Sequence, residues 1–317
     1  MGFFQKANII AAIGLLLVAN DLPAASASSA WVSVSGAGTS AEGCPRSNPC
    51  NSFQTACSAV SSENTSLPQV HVISPYYGNS GFNVLVPTII DGAGTFAGVF
   101  ISDGGSNGCS ISMGSTEGIF ILRNLTFEGN GSTGKGIFIE GGGDGAQLII
   151  ENCVIDGFTY GIYVDASASS SNITILNCTI TNCTNTGLYA ANSAAMDTLT
   201  ISNISIVGGQ YGIYLSGAWN NGVSITGSVI SQCSINGIYA DPDDSTNINC
   251  INSLFTSNGT AIDASNAAIV ILSNNDFYDN DGVFAGGGDG IVQTANNNRV
   301  PNNTSVGPSP EGTVSII

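Results

Sequence analysis

The feature that most constrains this chain is a four-residue motif that returns about every 25 residues. It reads Gly136-Ile-Phe-Ile, Gly161-Ile-Tyr-Val, Gly187-Leu-Tyr-Ala, Gly212-Ile-Tyr-Leu and Gly237-Ile-Tyr-Ala, with degenerate copies at Ala261-Ile-Asp-Ala and Gly282-Val-Phe-Ala. Successive copies start 25, 26, 25, 25, 24 and 21 residues apart. A second motif, apolar-x-apolar-x-Asn-x-x-apolar, leads each copy by eight to twelve residues. It is anchored at Asn124, Asn152, Asn177, Asn203, Asn252 and Asn274, with Gly227 standing in once. A fixed period of this kind marks units that cannot bury an apolar face alone and do so only by stacking on their neighbours.

Within each repeat the apolar residues alternate with period two, the signature of strands. Leu148 and Ile150, Ile173 and Ile175, Leu199 and Ile201, Val223 and Ile225 precede the anchor; Phe127, Ile155, Ile180, Ile206, Ile230, Phe255 and Phe277 lie three residues after it. The alternation slips by one at the Asn, as it must if that residue turns a corner. Asn and Gly are the residues that best tolerate the left-handed backbone a corner requires, and stacked Asn side chains can hydrogen-bond as a ladder. Three short strands per coil, each paired in parallel with its equivalent one coil later, make an all-β right-handed parallel β-helix. At ~4.8 Å per step, eight or nine coils form a rod about 40 Å long. The expected layout is a lead-in and capping segment at 28–66, the β-helix at 67–300 and a tail at 301–317.

The Asn corner resembles the asparagine ladder of the pectate-lyase-like superfamily. The segment from Trp31-Val-Ser-Val-Ser-Gly through Cys44-Pro-Arg-Ser-Asn-Pro-Cys50 to Ala56 resembles the start of exported bacterial β-helix repeat proteins. The resemblance implies that a short amphipathic helix covers the open first coil. Ser52 to Val60, with Phe53, Ala56, Cys57 and Val60 on one face, suits that task. The last coil is expected to be covered by Asn296 to Pro310 and the final Val-Ser-Ile-Ile. The two exposed ends also make self-association an expectation.

Residues 1–27 have the layout of a secretory leader: Lys6, an apolar run from Ile9 to Ala19, then Ala25-Ser26-Ala27, with Ser28-Ser29-Ala30 as a second cleavage option. The run is shorter than the roughly 20 residues a membrane span needs. A secreted, periplasmic or cell-surface location follows, with no membrane insertion once the leader is removed. Nine cysteines fit an oxidising compartment. Cys44 and Cys50 bracket a short loop and are the expected disulfide, whereas Cys153 and Cys178 fall at equivalent repeat positions and read as buried thiols. There is no CxxC pair, and the lone His71 offers no zinc cluster.

Five Lys+Arg against 22 Asp+Glu give a net charge of −17. That balance excludes nucleic acid, whose phosphates demand clustered bases, and opposes an acidic polymer unless a cation bridges the like charges.

In the Gly-apolar-aromatic-apolar strand the third position faces outward. This sets Phe138, Tyr163, Tyr189, Tyr214 and Tyr239 in one column, interrupted by Asp263 and ended by Phe284. A tyrosine file at one-coil steps suits an extended extracellular polysaccharide, because the coil step is close to the length of one sugar residue. The same file also suits strand stabilisation or a contact between chains. Two positions on, the face carries Glu140, Asp165, Ala191, Ser216, Asp241 and Ser265. Glu140 and Asp165, one coil apart, stand near the carboxyl spacing of retaining glycosidases; Asp241 with Asp263 is a second candidate pair, and Lys135 a candidate lyase base or substrate clamp.

The galacturonan hydrolases of the resembled superfamily carry Asn-Thr-Asp, Asp-Asp and Gly-His-Gly signatures, of which only Asp243-Asp244 is present. Its pectate lyases use an Arg or Lys base with calcium. Here Asp241, Asp243 and Asp244 form a weak calcium candidate, and no complete lyase motif is present. Three readings follow: a non-catalytic rod that binds polysaccharide along the column, a polysaccharide lyase or glycoside hydrolase, and an adhesive or structural surface rod. An ice-binding face is remote, because Thr174, Thr179 and Thr200 form no regular two-column array.

Overall fold

The computed structural model describes residues 29–61, 67–73, 75–92, 97–102, 105–114, 117–131, 134–141, 145–166, 171–196, 198–219, 222–242, 246–295, 297–308 and 310. The expected leader at 1–27 and the final four residues lie outside them. The described chain winds into a parallel β-helix of three sheets, with 11, 9 and 9 strands. One coil shows the plan: Asn172–Leu176 in the first sheet, Thr179–Thr181 in the second and Thr186–Met196 in the third. Each strand pairs in parallel with its equivalent one repeat away.

The period-two apolar residues meet on the axis. Leu148 and Ile150, Ile173 and Ile175 from the first sheet, Phe127, Ile155, Ile180, Ile206, Ile230, Phe255 and Phe277 from the second, and Ile162 and Val164 from the third are all buried. Like residues stack on like, as between Phe255 and Phe277, whose ring centroids are 5.2 Å apart.

The first corner is the predicted one. Asn124, Asn152, Asn177, Asn203, Asn252 and Asn274 all have φ between 52° and 58°, and Gly227 has φ 60°. Each donates its backbone N–H to the next coil, for example Asn177 to the Ser202 carbonyl at 3.0 Å. The side-chain ladder is partial: Asn152 Nδ2 donates to Asn124 Oδ1 at 3.3 Å, Asn274 Nδ2 to Asn252 Oδ1 at 2.6 Å, and Asp91 extends it upstream by accepting from Asn124 at 2.8 Å. A second left-handed corner follows the next strand, at Gly157, Asn182, Gly208, Gln232, Ser257, Asp279 and Asn302. Its mixed composition hid it from sequence reading.

The motif glycine has a packing cause. At Gly161 an added Cβ would lie 2.4 Å from Ile180 Cγ2 and 2.6 Å from the Gly187 carbonyl oxygen; Gly136, Gly187 and Gly212 repeat this against Ile155, Ile206 and Ile230. Gly161 and Ile162 are both buried, so two successive residues point inward and Tyr160 is placed on the outer face.

Both ends are covered by chain that pairs beyond 67–300. Ser29–Val32 lies in register with Gln69–Val72, and Val283 and Phe284 donate to the Ser305 and Val306 carbonyls. The expected helix forms at Phe53–Ser61, its Thr55 N–H capped by Ser52 Oγ at 3.1 Å. Phe53, Ala56, Cys57 and Val60 are buried, and Phe53 stacks on Phe82 at 5.0 Å. Cys44 and Cys50 are disulfide-bonded. The other seven cysteines are free and buried, Cys153 and Cys178 among them, and burial pushes the Cys57, Cys183, Cys233 and Cys250 thiols up to about 12.

Toward the C-terminal end the interior becomes polar. Asn258, Asn280 and Asn303 form one internal ladder in which each Oδ1 accepts a backbone N–H from the preceding coil, at 2.9–3.0 Å. Ser228, Ser253, Asn275 and Asn298 form another.

These causes separate in a mutant series. Gly161→Ala should lose about 3 kcal/mol, because backbone atoms must move. Asn177→Val should lose about 1–2 kcal/mol at its left-handed corner, whereas Asn177→Gly should stay within about 1 kcal/mol of the parent. Urea unfolding midpoints read all three, and equal losses for Val and Gly at position 177 would show that the corner is not limited by backbone conformation.

Candidate functional site

The third sheet builds the candidate site on its outer face. Its register aligns Phe138, Tyr163, Tyr189, Tyr214 and Tyr239 across five consecutive strands. Successive ring centroids lie 5.8, 4.7, 4.9 and 4.8 Å apart, all edge-on except the stacked pair Tyr163–Tyr189. Each ring is partly exposed. The one-coil step is therefore shared between contact with the next ring and a surface open to solvent.

Two further rings were not anticipated. Tyr160 packs edge-on against Tyr163 at 5.0 Å and lies 5.7 Å from Tyr189; Tyr211 lies 5.3 Å from Tyr214 and 5.7 Å from Tyr239. They occupy alternate places in the row Lys135, Tyr160, Thr186, Tyr211, Asn236. The signal was available, since each immediately precedes a motif glycine, but strict alternation assigns that position inward. The inward glycine breaks the alternation.

Phe284 does not end the column. The last coil is short, and its register pairs Thr260 with Gly282 and Asp263 with Ala285, so Phe284 falls opposite Ile262. It is 7% exposed and packs edge-on against Phe277 at 5.4 Å. The tetrapeptide Gly282-Val-Phe-Ala resembles the motif but sits one residue out of phase.

The acidic row is as expected: Glu140, Asp165, Ala191, Ser216 and Asp241 are register neighbours in turn. Glu140 and Asp165 are exposed on adjacent strands, ~4.8 Å apart along the rod. Asp241 accepts from Tyr239 Oη at 3.3 Å and from Asn266 Nδ2. Asp263 accepts from Asn236 Nδ2 at 3.0 Å and Ser265 Oγ at 3.3 Å. The two carboxylates thus each engage neutral donors around Tyr239. Lys135 lies over the rings, its Nζ 4.1 Å from the Phe138 centroid and 4.6 Å from that of Tyr163. Asp243 and Asp244 lie outside the described residues. Among the described residues no group of three His, Cys, Asp or Glu gathers to hold a metal. His71 stacks on Trp31 at 4.5 Å at the far N-terminal end.

Burial and neighbouring acids and rings hold the column hydroxyls protonated. Tyr163 is pushed up to about 12 by burial, then by Tyr189, Asp165 and Tyr160; Tyr214 reaches about 12 by burial, then by Tyr189, Tyr239, Asp241 and Tyr211. Tyr189 and Tyr239 move the same way, also chiefly by burial. The folded state binds these protons more tightly than the unfolded chain. Their stabilisation is therefore complete below about pH 10 and is lost as pH rises from about 10 towards 12. Tyrosinate absorbance during an alkaline titration should show late-ionising rings that Tyr163→Phe/Tyr214→Phe reduces by two. A single titration at the ordinary tyrosine range would refute the packed column.

Residues 78–221 match a family model described as the right handed beta helix region, and the match covers most of the aromatic column. No curated protein matches the chain. Its three parallel sheets make the chain a parallel β-helix repeat protein, and the likeness of residues 78–221 to the right-handed family carries the fold without an activity.

Proposed function

We propose that this right-handed parallel β-helix repeat protein is an extracellular binding rod that holds an extended polysaccharide along its aromatic column. The observation that carries the reading is the unbroken file of five rings on five successive coils, widened by Tyr160 and Tyr211. A polymer of sugar residues laid parallel to the axis meets a new ring at every coil. Each ring offers an apolar surface with a hydroxyl at its tip, the combination that sugar faces and edges require. Lateral support fixes the rings beforehand, so binding sacrifices little side-chain freedom.

The extracellular setting rests on the leader-like sequence and on the Cys44–Cys50 disulfide. Cleavage after Ala27 would leave the strand Ser29–Val32 whole, whereas cleavage after Ala30 would remove half of it. The reading is non-catalytic. A second reading, polysaccharide cleavage, rests on one observation, the exposed register neighbours Glu140 and Asp165. Asp241, Asp263 and Lys135 contribute less to it, being engaged with neutral donors or with rings. The calcium candidate adds nothing to either reading.

Native gels containing embedded neutral or acidic polysaccharides test this directly. The protein should be retarded by at least one neutral polymer that stays intact in the gel, and Tyr189→Ala/Tyr214→Ala should abolish the retardation. A cleared zone, lost in Glu140→Gln, would replace binding by cleavage. Unretarded passage through every gel would remove the polysaccharide reading and favour adhesion or self-assembly.

A further inference from the structure

The chemistry around the column says more about its ligand than the rings alone. The protein already places one ammonium on them: Lys135 Nζ lies 4.1 and 4.6 Å from the Phe138 and Tyr163 centroids, within cation–π distance of both. The places equivalent to Lys135 on the following coils hold Tyr160, Thr186, Tyr211 and Asn236. No Lys or Arg occurs anywhere from 136 to 298. The first ring pair therefore has a cation supplied by the chain, and the later rings have none.

Carboxylates border those later rings. Asp165 lies two residues beyond Tyr163 and Asp241 two beyond Tyr239 on the same outer face, and Asp263 takes the column position itself on the next strand. Their field reaches the rings, since Asp165 acts on the Tyr163 and Tyr189 hydroxyls and Asp241 on those of Tyr214 and Tyr239. A uronate polymer is repelled by this arrangement, a neutral polymer gains ring contact alone, and a polymer bearing ammonium groups gains ring contact, cation–π attraction and carboxylate pairing together.

We infer that the ligand of the column is a polymer carrying free ammonium groups, of the class of polysaccharides built from 2-amino sugars. This deepens the binding reading above and rests on it. The whole molecule acts in the same direction: a net charge of −17 draws a cationic polymer to the rod from a distance.

The test uses the whole protein and two probes of equal length, a glucosamine hexamer and its fully N-acetylated counterpart. Isothermal titration calorimetry is run below neutral pH, where the amines are charged. The amine form should bind about tenfold more tightly, the equivalent of two or three exposed cation–π contacts. Tyr189→Ala/Tyr214→Ala should weaken both probes. Asp165→Asn/Asp241→Asn should erase most of the preference by weakening the amine probe far more than the N-acetylated one, while Glu128→Gln/Glu151→Gln, which removes the same charge from strands of the second and first sheets, should preserve the preference. Circular dichroism confirms that each variant is folded. Equal, tyrosine-dependent affinity for both probes would overturn the ammonium inference and keep the binding reading. Preference for the amine that ignores the tyrosines, or that falls equally with the remote pair, would mark diffuse charge attraction and overturn the inference. Failure of both probes to bind, with a neutral glucan retarded in the gels, would overturn the inference alone; failure there too would remove both.

Discussion

Everything in this molecule depends on one constraint, the parallel hydrogen-bond ladder between a strand and its copy one repeat later. That ladder fixes the axial step at ~4.8 Å, so a residue type at one repeat position becomes a column of that type. Inside the rod the rule produces stacked Ile, Leu and Phe. At the corners it produces repeated left-handed residues. On the outer face of the third sheet it turns one tyrosine per repeat into a continuous aromatic surface. A single sequence choice is multiplied along the rod, in the core, at the corners and on the outer surface alike.

The same constraint explains which parts of the fold were legible. The Asn corner was readable because one residue type satisfies both demands there, a left-handed backbone and a side chain that pairs along the axis. The second corner makes only the backbone demand, and Gly, Asn, Gln, Ser and Asp all meet it, so its column has no consistent letter. The motif glycine was legible as a marker, but its cause was not. Its Cβ would strike an isoleucine of the neighbouring sheet, a contact between elements that no local pattern reveals. Tyr160 and Tyr211 were missed for that reason, and the Phe284 error has the same origin, since identical letters carry different registers when a coil loses residues.

The interior polar ladders add a second lesson. Asn275, Asn298 and Asn303 each follow another asparagine. In each doublet the first residue turns the corner or leads into it, while the second points inward and accepts an N–H from the coil before. Sequence reading treats an Asn-rich stretch as surface loop. Here the backbone donors inside each corner need acceptors, and buried Asn or Ser supplies them where the apolar side chains at equivalent places upstream do not.

The rings of the column pack against one another and also border a row of acids. Edge-on pairs at 4.8–5.8 Å stabilise the strands by about 0.5–1.5 kcal/mol per pair. If stacking were the only purpose, a flanking tyrosine at position 160 or 211 would add its hydroxyl to an already supported surface for little return. Acids beside rings would likewise be unfavourable neighbours, since the negative face of a ring and a carboxylate do not attract. Lys135 resolves that conflict at the first ring pair by placing a cation over Phe138 and Tyr163. Beyond it the rings and acids continue and the protein's own cations stop. On the ligand proposed above, a cation from outside would resolve the conflict on those coils in the same way, and a polymer with regularly spaced ammonium groups would do so along the length of the column.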